Sequence, residues 1–316
     1  MARGPVSAEH RFSTTKEETM SAQVQTTATF ATEVTVREAT LHDADSCGRV
    51  FYDAFESIAS RHSFPVEPGS HEFTRFKVGQ MLAGDGFAGL VAQRAGELVG
   101  SAFVDERGVI AGIGPVTVAP ELQDAGVGSA LMEAVLQRER GRGVVGIRLV
   151  QTAYHYRSLA LYAKLGFAVR EPLSVLQGTP PALSVPGRGV RPAGEDDLAA
   201  CGELCVRVHG HDRTEELRAA IAAGTAAVVE RPERISGYAT GFGYGWHAVA
   251  ETNEDLVALL GSAETFVGLG ILVPSRNAEL LRWGLGHGLR IVQQSTLMTI
   301  GLYNEPAGAW LPSIVF

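Results

Sequence analysis

The residues best suited to chemistry run from Val116 to Leu131, as Val-Thr-Val-Ala-Pro-Glu-Leu-Gln-Asp-Ala-Gly-Val-Gly-Ser-Ala-Leu. Val116 and Val118 alternate as the end of a strand does, and Pro120 stops it. From Val127 the apolar residues Val127, Ala130, Leu131, Ala134 and Val135 share one helix face, opposite Glu133, Gln137 and Arg138. Between strand and helix, Gln123-Asp124-Ala125-Gly126-Val127-Gly128-Ser129 sets glycines where the backbone can come close to a ligand. The first N–H groups of a helix lack partners of their own and point outward at the positive end of its dipole. Such a turn binds phosphate oxygens without needing lysine. A tight left-handed turn with no ligand has the same pattern. A dinucleotide-binding loop is excluded, because Ala130 and Leu131 stand where its third glycine belongs. A Walker loop is excluded too, because no lysine follows Gly128.

A second group follows as Ser158-Leu159-Ala160-Leu161-Tyr162-Ala163-Lys164-Leu165-Gly166-Phe167. Read alone, Tyr162 is a packing aromatic on an amphipathic helix with Leu159, Leu165 and Phe167. A phenol is also protonated at neutral pH and can act as a general acid. The two stretches together, at this separation, resemble the GCN5-related N-acetyltransferase (GNAT) family. Its pyrophosphate loop reads Gln/Arg-x-x-Gly-x-Gly/Ala after a strand ending in Val-x-Pro, here Val118-Ala119-Pro120 followed by Gln123 to Gly128.

The resemblance implies acetyl-CoA as co-substrate, with no metal. It implies that an amine attacks the thioester directly in a ternary complex. The cofactor residues it implies are Val116 and Val118 on the strand, Gln123, Asp124, Ala125, Gly126, Val127, Gly128 and Ser129 in the loop, and His155, which stands where the family often has asparagine. A backbone N–H of the strand would polarise the acetyl carbonyl, as preorganised donors do. Tyr162 would protonate the departing thiolate. The acceptor is then a primary amine of a small molecule or peptide. A regulatory module that senses acyl-CoA without catalysis is the other reading, and an intact Tyr162 is what such a sensor would not need. No general base stands out: Asp105 and Glu106 lie at the start of the strand, and Asp53, Glu56 and His62 lie in the first helical region.

The elements that must hold these residues occur twice. Val36-Arg37-Glu38-Ala39 runs through Asp43 to Cys47-Gly48, and Val190-Arg191-Pro192-Ala193 runs through Asp197 to Cys201-Gly202, sharing Val, Arg, Ala, Asp, Cys and Gly in one register. Leu98 to Ala102 is echoed by Ile235 to Ala239, and Gly112-Ile113-Gly114 by Gly268-Leu269-Gly270. Strands interleave with helices in each half, which predicts an α/β class with an α+β mixed sheet, in tandem duplicate as the family resemblance implies. Clustered Pro and Gly mark residues 179–187 as a linker between a first domain, 34–178, and a second, 188–316. In the second, the loop is expected at Val273 to Leu281, where its glycines are missing; Asn304 and Leu311 fall where the family has asparagine and tyrosine. This copy is expected to be degenerate, with its final strand near Ser313 to Phe316 completing a shared sheet or walling the acceptor channel. His209-Gly210-His211-Asp212 reads as a solvated loop at a helix end, with substrate recognition and a metal site as the other options.

At 316 residues the chain is long enough for two domains, and 45% hydrophobic against 20% charged residues describes an ordinary globular protein. A net charge of -8 argues against general binding of nucleic acid or anionic membrane. The three cysteines, Cys47, Cys201 and Cys205, suit neither a disulfide framework nor a zinc set and read as buried thiols of a cytoplasmic protein. Residues 1–33 read as a disordered tail without a signal peptide, with Met20 as an alternative start. No stretch approaches the ~20 apolar residues of a membrane span. A monomer or a homodimer is expected.

Overall fold

Arg37 and Asp43 show why the repeated segment keeps its residues. Arg37 Nη1 and Nη2 donate to the two Asp43 oxygens at 2.9 and 2.7 Å, and Asp43 also accepts from the Thr40 N–H at 2.8 Å. Arg191 and Asp197 repeat the fork at 2.7 and 2.8 Å, with the Gly194 N–H at 2.8 Å. Each fork ties a first strand to the turn that starts a first helix, and the Asp43 carboxyl is held well below its usual range by that arginine. Gly48 and Gly202 then let two helices approach. A Cβ on Gly48 would lie 2.7 Å from the Arg75 backbone, and one on Gly202 would lie 2.7 Å from the Thr214 hydroxyl.

The computed structural model describes residues 34–232 and 234–315, which belong to one compact unit, Glu33–Phe316. The expected tail at 1–33, the alternative start at Met20 and the terminal Phe316 lie outside the described residues. The first half runs β1 (Thr35–Glu38), α1 (Ala44–Arg61), α2 (His71–Ala83), β2 (Phe87–Arg94), β3 (Glu97–Asp105), β4 (Ile110–Val118), α3 (Val127–Arg142), β5 (Gly146–Thr152), α4 (Tyr156–Lys164) and β6 (Ala168–Gln177). The second half repeats that order as β7 (Gly189–Pro192), α5 (Leu198–His209), α6 (Thr214–Ala222), β8 (Ala227–Arg231), β9 (Arg234–Ala239), β10 (Ala248–Ala250), α7 (Asn253–Gly261), β11 (Ile271–Pro274), α8 (Ala278–Gly286) and β12 (Arg290–Gly301), then adds β13 (Ala309–Leu311). Among the described residues no helix is long and apolar enough to cross a membrane.

The halves exchange strands. One sheet is ordered β1-β2-β3-β4-β5-β12-β6-β11, so β12 of the second half lies between β5 and β6 of the first. It is antiparallel to both, from Ser295 opposite Thr152 to Gly301 opposite Gly146 on one side, and from Arg290 opposite Gln177 on the other. The four strands β5, β12, β6 and β11 therefore form a pseudo-twofold set, each half's last repeated strand lying beside the other half's β5 or β11. The second sheet is ordered β13-β10-β9-β8-β7. A core of Ile110, Leu173 and Val175 with Leu269, Leu272, Leu297 and Trp310 joins the halves. Removing such burial costs roughly 2–5 kcal/mol per large side chain, so this shared cluster stabilises both halves.

The common element order corrects the expected alignment of the second copy. β10 and α7 correspond to β4 and α3, so the counterpart of the glycine loop is the turn Glu251-Thr252, not Val273 to Leu281. Val273 to Leu281 lies one unit later and corresponds to the start of α4. Asn277 there matches His155, with φ and ψ of -78° and 74° against -90° and 73°. The tyrosine of α4 has Gly284 as its counterpart in α8. Asn304 instead donates to the His209 carbonyl at 3.4 Å, and Leu311 is buried in β13. A loop that lost most of its length left no spacing for a sequence alignment to follow.

Candidate active site

β4 splits from β5 where the sequence changes character. The parallel ladder runs from Ile110 opposite Gly146 to Ile113 opposite Leu149 and stops before Gly114-Pro115, since Pro115 has no N–H to continue it. Beyond it β4 stays paired with β3 alone, Val116 opposite Ala102 and Val118 opposite Gly100. The Ala119 N–H donates to the Val99 carbonyl at 2.9 Å. Backbone groups alternate along a strand, so Thr117 faces β3, while Val116 and Val118 turn their N–H and C=O toward the open side. The Gln123 amide nitrogen reaches the Val118 carbonyl there at 3.4 Å.

The turn after β4 leads into α3 without a side-chain cap among the described residues. Asp124 has φ 68° and Gly126 φ 84°, both left-handed, and no side chain caps α3. The Gly126 carbonyl accepts the first helical bond, from Ala130 at 3.0 Å. The N–H groups of Val127, Gly128 and Ser129 are thus left to an outside partner among the described residues. A Cβ on Gly126 would meet nothing within 4 Å, so the space before the helix is open. Gly128 is different, because a Cβ there would lie 3.4 Å from Leu161 and 3.8 Å from Val118. That glycine brings the α3 start against both β4 and α4. Glycine loop, strand edge and tyrosine helix therefore converge, and the open turn with uncapped amides suits a phosphate-bearing ligand.

Tyr162 is buried in the first-half core, edge-on to Phe167 with ring centroids 5.9 Å apart. The packing reading of it holds, and its hydroxyl takes no hydrogen bond from the described residues. Burial pushes the phenol up to about 12, so it keeps its proton throughout the neutral range. His155 starts α4, and burial followed by the nearby Arg157 charge lowers its imidazole to about 4. It is a neutral ring at pH 7.

Two residues escaped the sequence reading, and the first lies beside the loop. Arg157 Nη2 donates to the Gln123 side chain at 3.2 Å, and its guanidinium also pairs with Asp124. Its place two residues after His155, facing a loop that carries an acid, was the available signal. The second is Glu67, in the segment between α1 and α2. It is half-buried, it makes no ion pair or hydrogen bond among the described residues, and burial raises its carboxyl.

Of the acids and base weighed from sequence, all but Glu56 have partners of their own. Asp53 lies 3.5 Å from the His71 ring, Glu56 is exposed, and Asp105 pairs with Arg107. Glu106 binds Arg138 at 2.5 Å and Arg142 at 2.9 Å. His62 lies against Tyr154, with centroids 5.3 Å apart.

Among its described residues the second half has no comparable turn. Thr252 caps α7 with its own hydroxyl, which accepts from the Asp255 N–H at 3.3 Å. Asp255 is buried behind it and accepts from Ser236 at 2.9 Å and from Arg188 and Arg231 at 3.0 Å each. His209 and His211 are also corrected, for they are not a solvated loop but buried, at 2% and 5% exposure. Burial lowers His209 well below its usual range and His211 to about 3. Asp212 turns away to the Thr214 N–H at 3.1 Å, and the described residues hold no cluster suited to a metal. The three thiols are free and buried.

Residues 52–167 match the model of the Acetyltransferase (GNAT) family. Among solved structures, a protein of Pyrococcus horikoshii assigned as an acetyltransferase aligns over 86% of this chain and 91% of its own, at 22% identity and a TM-score of 0.65. A GCN5-related N-acetyltransferase from Sphaerobacter thermophilus aligns over 86% and 96%, at 15% identity and 0.57. A tandem GNAT protein from the clavulanic acid biosynthesis pathway aligns over 85% and 98%, at 14% identity and 0.52. These identities make the likeness one of fold, a GNAT fold in tandem. No curated protein matches.

Proposed function

We propose that this chain, whose residues 52–167 form a GNAT-family domain, transfers an acetyl group from acetyl-CoA to a primary amine by direct attack in a ternary complex. The observation that carries the reading is the convergence of three groups. These are the open-side amides of Val116 and Val118, the uncapped turn at Gly126, and the proton-bearing Tyr162. Bound acetyl-CoA supplies the thioester. The loop from Gln123 to Ser129 holds its pyrophosphate, with Arg157 offsetting the charge of Asp124, and His155 borders the chain that leads inward. A Val116 or Val118 N–H polarises the acetyl carbonyl. Tyr162 gives its proton to the sulfur as the C–S bond breaks.

In this reading residues 34–178 are the working unit, 179–187 join it to the second, and 188–316 are a supporting copy without a cradle. Thr252 and Asp255 fill the place a phosphate would take. The acceptor is a small molecule or peptide, and three free thiols suit the reducing cytoplasm. One chain already contains the paired arrangement of strands, so a monomer suffices. Release of coenzyme A thiol from acetyl-CoA, followed with an amine panel, tests the reading. Thiol release that depends on amine and falls in Tyr162→Phe supports it; binding without amine-dependent release would favour a sensor instead.

A further inference from the structure

β5 runs on where β4 leaves it. The last rung between them sets Ile113 opposite Leu149, and counting on along both strands brings Gln151 beside Pro115, at the mouth of the split. On its other edge β5 stays paired with β12 of the second half, Gln151 opposite Thr296 and Thr152 opposite Ser295. The second half thus holds the end of β5 in place after β4 has turned away. Side chains alternate along a strand, so Gln151 shares a face with Ile147 and Leu149. Those two pack in one core cluster with Tyr162 and with Val127 at the start of α3. Gln151 therefore lies beside the split on the Tyr162 face of the sheet.

The Gln151 side chain is 3% exposed, and its two ends have different surroundings. Its amide nitrogen faces the first turn of α4. It donates to the carbonyls of Thr152 and His155, the latter at 2.9 Å, and lies 3.1 Å from the Ser158 hydroxyl. Carbonyl oxygens only accept, so the nitrogen is the end that meets them, and this fixes which end is oxygen. Gln151 Oε1 is buried and has no hydrogen-bond partner among the described residues. A buried oxygen of this kind is costly to leave without a donor. The arm of coenzyme A that carries the sulfur has amide N–H groups and no charge, which suits a neutral acceptor beside the split.

Resting on the transferase reading above, we propose that Gln151 binds the pantetheine arm of acetyl-CoA, with Oε1 accepting the N–H of the amide nearest the thioester. The same side chain staples the first turn of α4. The helix that carries Tyr162 and the arm that carries the sulfur then share one anchor. The contact also selects a pantetheine thioester over an acetyl donor without the arm, because such a donor leaves the oxygen unpaired.

Calorimetric titration tests this with acetyl-CoA and its analogue in which that amide is replaced by an ester, which lacks the N–H. The unaltered protein should bind the ester about tenfold more weakly. Gln151→Met keeps the length of the side chain and removes the acceptor. In that variant acetyl-CoA should bind about tenfold more weakly than in the unaltered protein, and amide and ester should differ by less than about twofold. The nucleotide half of coenzyme A, without the arm, should bind both proteins alike. Equal affinity for amide and ester in the unaltered protein would overturn the contact, and that comparison does not depend on how well the variant folds. A preference for the amide that survives in Gln151→Met, or a loss shared by the nucleotide half, would overturn it as well. An unaltered protein that binds neither acetyl-CoA nor the nucleotide half would overturn the transferase reading, and this contact with it.

Discussion

Gly126 and Thr252 hold the same station in the two halves, the residue before the helix that follows β4 or β10, and they leave opposite surfaces. Gly126 sits at φ 84° with open space before α3, while Thr252 sits at φ -139° and closes the start of α7 with its hydroxyl. One helix start is available to a ligand and the other is consumed by the fold. On the proposed reading that difference, more than the loss of any single side chain, separates the working copy from the supporting one.

Thr252→Ala should therefore act on stability alone. Losing an N-cap costs about 1 kcal/mol, and here it also disturbs the buried Asp255, so melting should drop by a few degrees. Acetyl-CoA affinity should stay as it was. A loss of affinity in this variant would mean that α7 takes part in cofactor binding.

Tyr162→Phe should lower kcat by 10²-fold or more while the dissociation constant for acetyl-CoA stays within about twofold. The unaltered phenol lies at about 12, so it holds its proton through the usual assay range. The rate should accordingly show no alkaline fall from this group below about pH 11. A pH–rate profile with an inflection near pH 9 that vanishes in Tyr162→Phe would contradict the assignment.

Arg157→Ala should expose Asp124 to the phosphates it faces. KM for acetyl-CoA should rise about tenfold at low ionic strength and recover toward the original value in 0.5 M salt, because exposed charges are screened. Adding Asp124→Asn should restore much of the affinity. If the double variant binds as weakly as the single one, Arg157 contacts the ligand itself and does not act by masking Asp124.

Glu139 offers a test of stability far from the site. It is fully buried on α3, and burial with the neighbouring Glu106 raises its carboxyl to about 7. Its folded pKa exceeds the unfolded one, so the folded state holds the extra proton between about pH 4.5 and 7 and loses that advantage as pH rises through the window. Glu139→Gln should melt a few degrees higher than the unaltered protein at pH 8 and should flatten the decline between pH 5 and 8. A steeper decline in the variant would reverse the sign.

Much of this was legible in the sequence because local rules produced it. The Arg37–Asp43 and Arg191–Asp197 forks needed only short spacings, and both repeats kept them. The loop from Gln123 to Ser129 was legible because glycine geometry is local, and Pro120 and Val127 bracket it. The second copy was read out of register, since its loop shrank to Glu251-Thr252 and Gly268-Leu269-Gly270 mimicked the earlier motif. The sequence reads His209 and His211 as exposed because nothing near them in sequence reports the Trp310 ring, which lies 5.4 Å from His209.

The most direct test is calorimetric titration of the whole chain with acetyl-CoA, counting sites and repeating the titration on Gly126→Val. A valine at φ 84° pays a backbone cost of about 1–2 kcal/mol and fills the space before α3. The account predicts one site per chain, lost in the variant. Two sites, or one site that survives Gly126→Val, would contradict it.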